Sequence, residues 1–201
     1  MSRPGEAETW RYDADVSLAY PLGRTPDRQF VMGPGARLRT GTVLYDGSRI
    51  GSRLETGHHV VIREQCDLGD DVAVWSNSVV DYGCSIGNRV KIHCNCYVAQ
   101  FSVLEDDVFL APGTTLANDL YPGDPNSASL MRGPTIRRGA QLGVNVTVLP
   151  YVTIGERTIV GAGSVVTRDL PPDVVAYGSP AAPTRPRPPS TEISTSLRAR
   201  T

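Results

Sequence analysis

The sequence predicts a left-handed parallel β-helix. Three observations predict it: aliphatic residues on a lattice of six, small or apolar residues four places after each, and Gly, Asn or Asp recurring at the third place.

The aliphatic lattice comes first. From Met32 in steps of six the chain gives Leu38, Leu44, Ile50, Thr56, Ile62, Leu68, Val74, Val80, Ile86, Ile92, Val98, Leu104, Leu110 and Leu116, and only Thr56 is neither aliphatic nor Met. A helix repeats at about 3.6 residues and a strand at about 2, so neither locks to six over such a length. The second lattice runs through Ala36, Thr42, Cys66, Ser78, Cys84, Cys96 and Thr114. Together the two fill the inside of a narrow coil. The third, at Gly35, Gly41, Asp71, Asn77, Gly83, Asn95, Asp107 and Gly113, supplies residues that tolerate the positive φ of a tight corner. Three strand–corner units close an 18-residue triangular rung, and successive rungs stack about 4.8 Å apart through parallel ladders.

The lattice breaks at 117–135 and resumes at Ile136, Leu142, Val148, Ile154, Val160 and Val166, giving about seven coils in all. The step from Leu116 to Ile136 is 20, not a multiple of six, so 117–135 is a protruding loop, and such excursions often carry function. Residues 1–31 lack the pattern and are expected to cap the first coil of a domain at 32–182 or to add a stray strand. Residues 183–201, rich in Pro, Arg, Ser and Thr, are expected to form a disordered tail.

Composition agrees. Aromatics make up 6% of 201 residues, with 20 Gly and 16 Pro, which suits narrow coils with many turns. A formal charge of -1 gives no global case for nucleic acid or an anionic membrane, and no apolar run approaches the ~20 residues of a bilayer span. A polar start and four cysteines read as free thiols point to a cytoplasmic protein. Cys66 and Cys84 fall in one inward column and read as packing residues.

The run EDDVFLAPGTTLANDLYP (Glu105 to Pro122), then GPTIRRGAQLGVNVTVLPYVTIG, VGAGSVVTRDLPP and GSPA, resembles the nucleotide-sugar N-acetyltransferase branch of the hexapeptide-repeat acyltransferases. The resemblance covers roughly residues 32–182. It implies a homotrimer, acetyl-CoA lying between neighbouring prisms with no metal, and acyl transfer to the amine of a sugar linked to UDP or dTDP. It puts Asn118 at the acceptor amine and the pantetheine arm along Gly143, Gly161 and Ala162. The chain departs from that branch at His93-Cys94, at Ala99-Gln100-Phe101 and at Pro180-Ala181-Ala182, which leaves the acceptor sugar open.

Spacing alone arranges the rest. At 18 residues per rung, Glu64, Tyr82, Gln100 and Asn118 stack along one edge as an outward polar column leading into the loop. An amide at its top can orient an amine toward a thioester, with Gln100 and Tyr82 shaping the acceptor pocket. Asp119 serves the substrate or the turn, Tyr121 stacks on a base or packs the loop, and Arg168 can meet a CoA phosphate. His93, at an outward corner, is the candidate base if the acceptor is a hydroxyl. The alternatives are therefore an O-acetyltransferase using His93, a non-catalytic scaffold, and a zinc hydratase whose three-histidine spacing this chain lacks.

Overall fold

The computed structural model describes residues 10–23 and 27–189. Expectations for 1–9 and 190–201, including most of the anticipated tail, lie outside the described residues.

The chain is a left-handed parallel β-helix of about eight turns with three faces. The first face has ten strands, beginning with Arg11–Tyr12 and including Lys91–Ile92, Phe109–Leu110, Gln141–Leu142 and Ile159–Val160. The second has eight, running from Ser17–Tyr20 through Tyr97–Val98 and Thr115–Leu116 to Val165–Val166. The third has seven, from Val31–Met32 to Thr153–Ile154. Registers such as Val79↔Tyr97 and Val80↔Val98 confirm the rung of 18. Among the described residues no helix is long and apolar enough to cross a membrane.

Both lattices point inward as their chemistry requires. Every aliphatic position from Met32 to Leu116 is buried, as is every small position from Ala36 to Thr114. Thr56 shows why it can replace an aliphatic residue. Its Oγ1 lies 2.9 Å from the Thr42 hydroxyl and accepts from the Arg39 amide at 3.1 Å, so a buried polar atom keeps its partners. The third position holds positive φ at Asp71, Asn77, Asn95 and Asp107, and also at the bulky Phe101 (61°) and Tyr151 (66°).

Three boundaries differ from expectation. The N-terminal residues supply a further coil, since Arg11↔Arg37 and Ser17↔Val43 are in register and the Trp10 indole donates to Gly33 O at 2.9 Å. The tail expected from 183 begins as an ordered strand, Ala181–Pro186, antiparallel to Val174–Gly178. An antiparallel strand carrying Pro183 and Pro186 blunts the open edge that a parallel stack would leave. The loop also closes earlier than 135. Thr135–Ile136 is already a strand paired to Val103–Leu104, and Gly133 is buried against Ser102, where a Cβ would collide with the Ser102 backbone.

Candidate functional site

Two edges of the prism carry the candidate residues. The edge between the second and third faces holds the expected column. Tyr97↔Thr115 pairing puts Gln100 and Asn118 at equivalent corner places one rung apart, with Tyr82 and Glu64 below. The column is not wholly outward. Glu64 is buried and turned onto Arg63, whose guanidinium donates to both of its oxygens at 2.8 and 3.0 Å. That pairing holds the Arg63 pKa above its usual value. Arg63 also faces buried Asp81 at 3.5 Å and lies 5.1 Å from the Tyr45 ring centroid. Burial first, then the hydrogen bond from its hydroxyl to Asp81 at 2.6 Å, push the Tyr97 phenol up to about 12.

Higher up, the Tyr82 hydroxyl donates to the Gln65 side-chain oxygen at 2.6 Å, and the Tyr82 ring meets Phe101 edge-on at 5.4 Å. Gly83 leaves the space for Phe101, because a Cβ there would stand 3.0 Å from the ring. Gln100 and Asn118 are each half-buried.

At Asn118 the rung opens. The register step across the insertion is 32 (Thr115↔Thr147) where other rungs step 18 (Val79↔Tyr97), an excess of 14 residues. The excursion returns to the corner it left: Arg132 N donates to Asn118 O at 2.8 Å, and Tyr151 N donates to Arg132 O at 3.3 Å. The latter bond repeats those of Phe101 N to Tyr82 O and Gly83 N to Glu64 O, both 3.1 Å. Arg132 therefore completes the corner that Asn118 begins. Neither Arg132 nor Tyr151 stood out in the sequence, although counting four residues back from Ile136 reaches the corner place of Arg132.

Inside the excursion, Asp119 and Asp124 each give one oxygen to a backbone amide, of Tyr121 at 2.9 Å and of Asn126 at 2.8 Å. A short helix, Ser127–Leu130, follows. The Tyr151 hydroxyl donates to Leu130 O and fastens the excursion to the rung above. Between them lies a cavity of about 250 Å³ lined by Leu120, Tyr121, Leu130 and Tyr151, with Asp119, Asp124, Asn126 and Ser127 at its margin. Arg168 stands in the column of Asn118 on the uppermost rung, by the Thr147↔Val165 register.

The edge between the first and second faces holds the other set. His93 lies between Trp75 (6.2 Å) and Phe109 (4.8 Å, centroid distances). Above it on the same edge stand Gly143, Gly161 and Ala162. Both glycines are required by close approach: a Cβ on Gly143 would meet the Ala162 backbone nitrogen at 2.6 Å, and one on Gly161 would enter the Tyr177 ring. Within one chain the second face separates this set from Asn118, Gln100, Tyr82, Asp119 and Tyr121. Arg168 lies with the Asn118 set rather than with the glycines.

The cysteines are free, and Cys66, Cys84 and Cys96 are buried. A hydrogen bond with the Cys66 thiol, then burial, raise the Cys84 thiol pKa, and burial pushes Cys96 up to about 11.

Residues 133–168 match the family model "Bacterial transferase hexapeptide (six repeats)". A Schizosaccharomyces pombe protein named as an acetyltransferase is 32% identical over 153 residues, covering 68% of this chain and 74% of its own length. The galactoside O-acetyltransferase of Escherichia coli is 30% identical over 159 residues, covering 73% and 77%. Among solved structures, the UDP-N-acetylglucosamine acyltransferase of Campylobacter jejuni superposes with a TM-score of 0.54 at 14% identity, covering 95% of this chain and 81% of that one, a likeness of fold.

Proposed function

Because this chain belongs to the bacterial transferase hexapeptide family and is an acetyl-CoA-dependent acyltransferase by that membership, we propose that it acetylates the amine of an amino sugar linked to UDP or dTDP. One observation carries the choice of an amine. The corner that Asn118 opens holds an amide fixed by the ladder, and its two nearby carboxylates each spend an oxygen on a backbone amide. A neutral amine brings its own lone pair and needs positioning more than a base. The nitrogen attacks the thioester carbonyl and forms its C–N bond. The oxyanion then collapses, the C–S bond breaks, and the leaving thiolate takes the proton from the nitrogen.

The homotrimer belongs to this reading. A second copy would set its glycine edge, with Gly143, Gly161 and Ala162, against the Asn118 edge of the first and so unite donor and acceptor. The test is a screen of UDP- and dTDP-linked 3- and 4-amino sugars with acetyl-CoA, followed by release of free thiol. Turnover of the amino sugars and none of their hydroxyl counterparts is the expected result, and the reverse pattern overturns it.

A second reading has its own support. The galactoside O-acetyltransferase relative is named for a hydroxyl acceptor, and His93 sits beside two rings on the donor edge, where it would act as base. A non-catalytic scaffold would give no heat on titration with coenzyme A.

A further inference from the structure

The whole second face separates the acceptor edge of one chain from its donor edge, so a site that uses both needs another copy. A rotation axis parallel to the prism keeps every rung at its height, and two edges can meet across it only where their heights match. Here they match. Asn118 leaves the rung of Thr115–Leu116. Thr147–Val148, entered from Gly143, is the rung directly above, and Tyr97–Val98, entered from His93, is the rung directly below. Asn118 therefore stands between the heights of His93 and Gly143, about 4.8 Å from each along the prism.

The face between the two edges has the surface that such a meeting requires. Its outward ladder runs in register from Val43 to Val165 as four valines, two threonines and Tyr97, with no charged residue. The outward ladders of the other faces carry Arg37, Glu55 and Lys91 on the first and Arg49 and Asp67 on the third. At the donor-side margin of the second face, the positive-φ corner places hold glycine, asparagine and His59. At its acceptor-side margin Arg63 and Asp81 face each other at 3.5 Å, and Asp81 also accepts from the Tyr97 hydroxyl at 2.6 Å. That bond fixes the Tyr97 ring, which is 39% exposed in a single chain. Covering such a ladder takes apolar area from water without stranding a charge, whereas covering either other ladder would strand charges.

We infer that the second face is turned to the symmetry axis of the homotrimer, where the uncharged ladders of three copies pack together. The stretch of donor edge from His93 to Gly143 in one copy then lies against Asn118 of the next. This rests on the reading of the chain as a homotrimer that joins the two edges. It gives the acceptor corner a defined second wall and leaves the first and third faces in water.

Sedimentation velocity of the full chain tests it. The wild-type chain is expected to sediment as three copies. Val61→Glu and Thr147→Glu would each gather three like charges at the axis and should weaken assembly by about tenfold or more. Ser85→Glu on the third face and Arg37→Glu on the first should leave assembly within about twofold. Thr147→Cys adds a readout that a folding defect in the glutamate variants cannot imitate. A short bis-maleimide should link its copies above the background of the unsubstituted chain, and should not link those of Ser85→Cys. If Ser85→Glu or Arg37→Glu breaks the assembly while both second-face glutamates keep it, or if only Ser85→Cys is linked, another face lies at the axis; the inference fails and the amine reading stands. A monomeric wild-type chain sinks the inference as well. An assembly built on the second face that turns over no amino sugar would instead uphold this inference and end the proposed acceptor.

Discussion

The carbonyl of Asn118 accepts a 2.8 Å hydrogen bond from the amide of Arg132, so the excursion between them begins and ends at one corner of one rung. An amide at such a closed base is held by the ladder on both sides, which is the preorganisation that orienting an amine requires.

Asn118→Ala should therefore lower acetyl transfer about 100-fold or more while leaving thermal unfolding nearly unchanged, because the backbone bond to Arg132 survives and only the orienting amide is lost. Thiol-release kinetics beside a melting curve measure both. Loss of less than about threefold would remove Asn118 from the chemistry.

His93→Ala separates the two acceptor classes. With an amine acceptor the rate should change by no more than a few fold, whereas loss of a general base would cost about 100-fold or more.

Much of this architecture was legible before any coordinate. The lattice of six fixed which side chains face inward, and residues such as Leu104 and Cys96 are buried where it requires. The column of Tyr82, Gln100 and Asn118 followed from counting alone. What counting missed depends on contacts that spacing does not encode. Glu64 is buried because Arg63 beside it offers a two-pronged partner. Residues 183–186 look like tail by composition, yet they pair as a proline-blunted edge strand. The distribution of Arg168 and the glycines over two edges is likewise a matter of which face each rung has reached.

Thr56→Val looks like a repair of the repeat, and it should instead destabilise by about 1–2 kcal/mol. The valine would leave the Arg39 amide without its acceptor and the Thr42 hydroxyl without its 2.9 Å neighbour. Chemical denaturation measures this, and a gain in stability would refute the account of Thr56.

Gly161→Ala should lower the melting temperature and weaken acetyl-CoA, since the new Cβ would enter the Tyr177 ring. Gly161→Ala combined with Tyr177→Ala should recover stability. Failure of the double variant to recover any would show that the close approach to Tyr177 is not the cause.

The Tyr97 phenol, raised to about 12 by burial and by Asp81, gives a signed pH effect. Its folded-state value exceeds the ordinary value of about 10, so its contribution is full below pH ~10 and is lost as pH rises through about 12. Ultraviolet titration of tyrosinate should show one late phenol that disappears in Tyr97→Phe, and the variant's stability should fall less steeply between those values. An unchanged titration would discard the Asp81 partnership.

Because the thirteen residues between Asn118 and Arg132 hang from a single closed corner, their length and content can be exchanged at little entropic cost to the prism. On the proposed reading, changes there would alter the acceptor without disturbing the glycine edge on the opposite side of the second face. A lineage built on this scaffold would be expected to keep its acyl donor while its clientele drifts.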